Sequence, residues 1–199
     1  MKVLGEYPMM QQRGLNRRDP IPANSRMFQE LYIQTQRCPC GGQMRLVAGG
    51  LSQELDVQSG LCTTCSARRR YFFTGSATPS SLSASKAFFA FEAALDAGLN
   101  AVDMEEWEVA ERHFEEAVSL ELWFGPAHLQ LGLIALSRQD WEAARCALEK
   151  AAGLIPLEPG LHDALCRLWT ALGNDEKAAR HGWLSLQLDS SLDDADTRR

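Results

Sequence analysis

Four cysteines near the start of the chain carry its clearest chemistry. Cys38-x-Cys40 and Cys62-x-x-Cys65 are two close pairs separated by 21 residues. Four thiolates offered from two tight turns suit a metal that prefers tetrahedral sulfur coordination, zinc before iron. No histidine precedes His113, so all four local ligands would be cysteines. Gly41-Gly42 directly after the first pair lets backbone amides turn toward the sulfurs. A closed site of four thiolates leaves no open coordination position, which makes its expected role structural. The competing reading is a set of reduced thiols or redox-active pairs. The chain opens MKVLGEYPMMQQRGLNRR, without the apolar stretch of a signal peptide. A reducing, cytoplasmic setting is therefore expected, where paired cysteines favour metal over disulfide.

Other chemistry is sparse. Arg68-Arg69-Arg70 precedes Tyr71-Phe72-Phe73. Basic residues beside aromatics can contact phosphates, so contact of this segment with DNA or RNA is the alternative functional reading. Strand alternation would send Arg69 to the face opposite Arg68 and Arg70. No P-loop, GxGxxG, GxSxG or HExxH string occurs. Glu105, Glu106, Glu108, Glu111, Glu115 and Glu116 read as a solvated helix face, and no catalytic residue is assigned. The expectation is a protein that is not an enzyme.

The elements that must position these residues divide the chain in two. Residues 1–80 hold ten Lys and Arg against five Asp and Glu, a balance of +5. Residues 81–199 hold ten against 21, a balance of −11, which gives the overall −6. No apolar run approaches the roughly 18 residues of a membrane-spanning helix, so no membrane partner is expected. Residues 1–36 read as an arm with a short helix over 25–36, on a weak face of Met27, Leu31 and Ile33. Residues 37–74 read as short strands broken at Gly49-Gly50 and Gly60, 75–84 as a linker, 85–192 as helices and 193–199 as a polar tail.

The helical half repeats. Gly98 and Gly132, Trp107 and Trp141, Ala110 and Ala144, Phe114 and Leu148, Ala117 and Ala151, and Leu120 and Leu154 each stand 34 residues apart. Ala178 and Leu188 continue the series after Ala144 and Leu154. A helix pair cannot bury its own apolar face, so stacked copies build one continuous core. His128 and His162 share this spacing, as do Cys166 and Gly132, and repeat packing is the reading for all of them. Cys166 is expected as a packing thiol, and Cys146 receives no role.

At these residues the chain resembles the tetratricopeptide repeat family. The middle repeat, about 125–158, carries Leu131-Gly132, Ala144, Leu148, Ala151 and Pro156. The first, about 91–124, has Gly98, Ala110, Phe114 and Ala117 but Leu122 in place of the closing proline. The third, about 159–192, has Leu165, Gly173 and Ala178, with Cys166 at the small position and Gly182 where an aromatic is usual. The segment 36–74 resembles a zinc ribbon, with one residue rather than two between the first cysteines. Together the resemblances imply a mainly α fold. It would be an α-α superhelix of three helix pairs with a small zinc-ribbon-like β domain holding Zn(2+). They further imply a scaffold or adaptor whose first helices bind a partner protein or peptide. The matching positions are Leu95, Leu99, Val102, Leu129, Leu133, Leu136 and Arg167. A second copy of the chain, as a homo-oligomer, or its own arm are the competing occupants.

Overall fold

The computed structural model describes residues 13–15, 17–22, 25–52, 55–74 and 82–196. Residues 1–12, 16 and 23–24 of the expected arm, most of the linker (75–81) and the last three residues of the tail lie outside the described residues.

The chain begins with β1 (Ile21–Pro22) and α1 (Arg26–Gln34), followed by β2 (Met44–Ser52), β3 (Leu55–Cys62) and β4 (Arg68–Thr74). Three helix pairs come next. They are α2 (Leu82–Asp103) with α3 (Trp107–Leu120), α4 (Gly125–Ser137) with α5 (Trp141–Leu154), and α6 (Pro159–Ala171) with α7 (Asp175–Asp196). The fold is an α-α stack of three hairpins carrying a small four-stranded sheet. Two bounds differ from expectation: α2 starts inside the expected linker, and α7 runs on through Asp196 into the expected polar tail.

The sheet has the order β1-β4-β3-β2. β2, β3 and β4 are antiparallel, whereas β1 pairs with β4 in parallel, Ile21 beside Phe73. A bulge between Leu46 and Ala48 shifts the β2 register and leaves Val47 exposed. β3 alternates strictly, with Asp56, Gln58, Gly60 and Cys62 on its buried side. α1 covers that side. Ser25 caps it by accepting from the Phe28 N–H at 3.3 Å. Its buried residues are Phe28, Gln29, Tyr32 and Ile33. Met27 and Leu31 are only half-buried, so the helix is rotated from the face the sequence suggests.

Residues 21–22 and 25–36 are thus part of the packed structure. Tyr32 stands edge-on to Tyr71 and Phe73 of β4. Phe28 stands edge-on to Phe88 and Phe91 of α2, at 5.3 and 5.6 Å between centroids. Phe91 reaches Phe124 at 5.1 Å. One apolar core therefore joins the sheet, α1 and the first helix pair, and a second core lies between α4, α5 and α6. Each fully buried aromatic adds about 1.5–3 kcal/mol, so this junction is a major source of stability.

The 34-residue period extends to details of the backbone. Glu105, Gln139 and Gly173, spaced by 34, all sit in the left-handed region, with φ of 59°, 59° and 69°. The next residue in each case donates its N–H to a carbonyl five residues back: Glu106 to Ala101, Asp140 to Ala135 and Asn174 to Trp169. Asp140 and Asn174 then cap the second helices through their side chains. His128 and His162 lie buried on first helices and donate from Nε2 to the Leu122 and Pro156 carbonyls, both at 2.8 Å.

Inside each pair one small residue faces one larger one. A Cβ on Gly98 would stand 2.8 Å from the Phe114 ring, and one on Gly132 would stand 2.5 Å from Leu148 Cδ2. In the third pair the roles are exchanged, because a Cβ on Gly182 would meet Cys166 Sγ at 3.3 Å. The two departures at Cys166 and Gly182 compensate each other: bulk moves from the second helix to the first and the helices still approach closely.

Candidate metal centre

The turn between α1 and β2 supplies Cys38 and Cys40, the last residue of β3 is Cys62, and the turn after it supplies Cys65. The β2–β3 pairing sets Met44 opposite Cys62, which brings the two turns side by side. All four sulfurs lie within 4.8 Å of one another. Cys38 Sγ is 3.6 Å from Cys65 Sγ, and Cys40 Sγ is 3.4 Å from Cys62 Sγ. A zinc–sulfur bond of about 2.3 Å in a tetrahedron places sulfurs about 3.8 Å apart, so the arrangement fits that ion.

The short first pair is accommodated by the glycines after it. Gly41 turns at φ +83° and donates to the Cys38 carbonyl, while Cys38 donates to the Gly42 carbonyl, both at 2.8 Å. A Cβ on Gly42 would stand 2.7 Å from Cys62 Sγ and 2.6 Å from Thr64 Oγ1. Only glycine permits the two turns to approach this closely. In the second turn the N–H groups of Thr64 and Cys65 point at Cys62 Sγ, at 3.4 and 3.5 Å.

The thiols differ in environment. Burial pushes Cys38 up to about 12, and Cys40 is raised for the same reason. Exposed Cys65 is held down to about 7, chiefly by the Ala67 N–H. A metal ion must therefore displace protons from the buried thiols, which couples its binding to pH. Behind the site lies Tyr71, fully buried, with no hydrogen-bond partner for its hydroxyl among the described residues.

The remaining sequence-derived positions are scattered along first helices. Leu95 and Val102 on α2 are half-buried against the first core, and Leu99 is 41% exposed. Leu129 and Leu133 on α4 are half-buried against the second core, and Arg167 on α6 is exposed. Leu136 is a correction: at 6% exposure it belongs to the second core and cannot offer a binding surface. It sits one turn beyond Leu133, where α4 meets α5 and α6, while the equivalent Val102 has no earlier pair to pack against. Cys166 is half-buried and Cys146 exposed.

Three further features escaped the sequence reading. Gln29, Asp56 and Gln58 form a buried polar cluster, with Gln58 Nε2 donating to Gln29 Oε1 and Asp56 Oδ1, both at 2.9 Å. His162 and His181 stack with Nδ1 atoms 3.1 Å apart. Glu121, at the end of α3, borders a small cavity beside Phe28, Tyr32 and Trp123, and burial raises it to about 7. The histidines lie in the 34-residue pattern, but nothing in that pattern places His181 against His162.

No protein-family model matches the chain, and no curated protein sequence matches it. Among solved structures, MamA 41-end from Desulfovibrio magneticus RS-1 is similar at 24% identity and a TM-score of 0.47, over 52% of this chain and 58% of that one. A crystal structure of MamA is similar at 20% identity and a TM-score of 0.47, over 50% and 58%. MamA MSR-1 is similar at 21% identity and a TM-score of 0.46, over 50% and 57%. The chain thus spans little more than half the length of these structures. Among the described residues no helix is long and apolar enough to cross a membrane.

Proposed function

We propose that the protein is a non-catalytic interaction scaffold of the tetratricopeptide type. Its first helices bind a partner protein or peptide, and a structural zinc ion on Cys38, Cys40, Cys62 and Cys65 holds the sheet. The observation that carries the reading is the equivalence of apolar positions on successive first helices. Leu95 and Leu129 are 34 residues apart, as are Leu99 and Leu133, and all four retain accessible surface in the folded chain. An apolar strip repeated in register on stacked helices suits an extended peptide or an amphipathic helix. Arg167, exposed at the third equivalent position, would set polarity at one end.

The zinc ion would act through the fold rather than through chemistry. The sheet's own apolar core is small, and four thiolates closing on one ion would contribute on the order of 10 kcal/mol to its folding. The sheet shares its core with α1 and α2, so metal binding would also stabilise the first helix pair.

Leu99→Glu tests the reading. It places a charge on a half-exposed position, so the chain should keep its melting midpoint. Sedimentation and affinity capture should then show loss of self-association or of a captured partner that resists nuclease and salt. Retention of every interaction by Leu99→Glu and by Leu95→Glu would refute the groove. A nuclease-sensitive partner would move the function to the basic side of the sheet.

A further inference from the structure

The four cysteines stand at one end of the sheet's buried face, and two further polar groups share that face with them. β3 turns Asp56, Gln58, Gly60 and Cys62 to this side. Residues directly opposite one another on antiparallel strands point the same way. Arg69 stands opposite Gly60 and Tyr71 opposite Gln58, so both follow Cys62 along the face, while Arg68, Arg70 and Phe72 point away from it. A Cβ on Gly60 would meet Tyr71 Cε2 at 2.9 Å, so the tyrosine ring leans over Gly60 toward the cysteine end. The Tyr71 hydroxyl lies within electrostatic reach of Cys38, Cys62 and Arg69.

Arg69 Nη1 and the Tyr71 hydroxyl are both buried, and neither has a hydrogen-bond partner among the described residues. A buried donor left without an acceptor is costly, so such groups are normally paired. Neutral thiols are weak acceptors and do not satisfy them. Thiolates are strong acceptors, and four of them around a divalent ion leave net negative charge in a site where Cys38 and Cys62 are buried. Backbone N–H groups answer part of that charge. Those of Thr64 and Cys65 point at Cys62 Sγ, and that of Ala67 bonds Cys65. They are neutral dipoles, whereas Arg69 brings a full positive charge to this face. Arg37, next to Cys38 in the chain, is already paired with Glu158 at 3.3 Å.

We propose that Arg69 and Tyr71 are the outer donors of the metal centre. With a divalent ion on Cys38, Cys40, Cys62 and Cys65, the Arg69 guanidinium and the Tyr71 hydroxyl donate to the buried sulfurs and offset the charge of the closed site. The assignment rests on the metal reading of those cysteines. Both residues act through the sulfurs and neither coordinates the ion, so they are positioning residues. Arg69 thereby has a role that Arg68 and Arg70, on the other face of β4, cannot share.

The test uses the full chain loaded with zinc, and with cobalt as a spectroscopic probe of the same site. Chelator competition should show zinc held about tenfold more weakly by Tyr71→Phe and by Arg69→Met, with part of the loss restored in Arg69→Lys. Removing a hydrogen bond from a metal-bound sulfur raises the energy of its lone pairs. The sulfur-to-cobalt charge-transfer band should therefore move to longer wavelength in Tyr71→Phe and Arg69→Met. Tyr32→Phe is the control, because the Tyr32 hydroxyl donates to the Arg13 carbonyl at 2.8 Å and its ring packs edge-on to Tyr71. It should leave affinity and band unchanged. If Tyr71 and Arg69 serve packing alone, their variants lower the melting midpoint while affinity and band keep wild-type values, and the proposal is overturned. An equal effect of Tyr32→Phe on the band would overturn it too. A wild-type chain that takes up neither zinc nor cobalt refutes the metal reading itself, and this inference falls with it.

Discussion

Gly132→Ala should destabilise the protein although alanine is the better helix former. The new Cβ would stand 2.5 Å from Leu148 Cδ2 and 2.6 Å from Leu148 Cγ. Ordinary carbon contacts are about 3.5–4.0 Å, so one side must yield by about 1 Å. Leu148 is fully buried in the second core, so it cannot swing into solvent and must push α4 and α5 apart. Overpacking of this kind costs about 1–3 kcal/mol, and the propensity gain of about 1 kcal/mol offsets only part of it. A net loss of up to about 2 kcal/mol should lower the melting midpoint by as much as roughly 4–8 °C in a chain of this size. Gly153→Ala is the control. It lies in α5 with nothing within 4 Å of a new Cβ, so it should raise stability by up to about 1 kcal/mol. Leu148→Ala alone should cost about 2–5 kcal/mol, and in that background Gly132→Ala should become neutral or favourable because its obstacle is gone. Calorimetric or circular-dichroism melts of the four variants close the cycle. If Gly132→Ala stabilises as Gly153→Ala does, the close crossing of α4 and α5 is refuted.

Cys62→Ser should abolish stoichiometric zinc, about one ion per wild-type chain by elemental analysis, and should lower the melting midpoint; an unchanged midpoint with no zinc in the wild type would refute a structural metal. Glu121 is raised by burial from 4.5 to about 7, so the folded state holds its proton more tightly. Its contribution is fully present below about pH 4.5 and lost as pH rises through 7, and Glu121→Gln should remove a decline of roughly 2–3 kcal/mol over that window in denaturant titrations. His181 shows the opposite sign: burial, then His162 beside it, lowers it from 6.5 to about 4, with Arg180 and Lys177 acting the same way. The neutral pair stabilises fully above about pH 6.5 and this is lost as pH falls through 4, so His181→Asn should flatten the acid limb of the melting profile, and an unaltered limb would refute it.

The sequence alone was enough for whatever is written in local spacing. Two cysteine pairs and a glycine pair mark two turns, because a chelating turn needs its ligands within a few residues of each other. The 34-residue period marks the helix hairpins, because each unit must present the same small and large residues to the next. Tertiary structure decided what depends on segments distant in the chain. α1 is only nine residues long, too short for its periodicity to show which face is buried, and the sheet and α2 selected Phe28, Tyr32 and Ile33. Cys166 and Gly182 read as two departures from a pattern until their contact across α6 and α7 makes them one exchange. Leu136 and Val102 occupy equivalent positions, yet only Leu136 has a following pair and a preceding one to enclose it. Gly14 is held against β4 by the Phe72 N–H, a bond between distant segments that leaves no trace in composition or period. Burial is a property of what packs against a residue, and that partner is fixed only when the whole chain has folded.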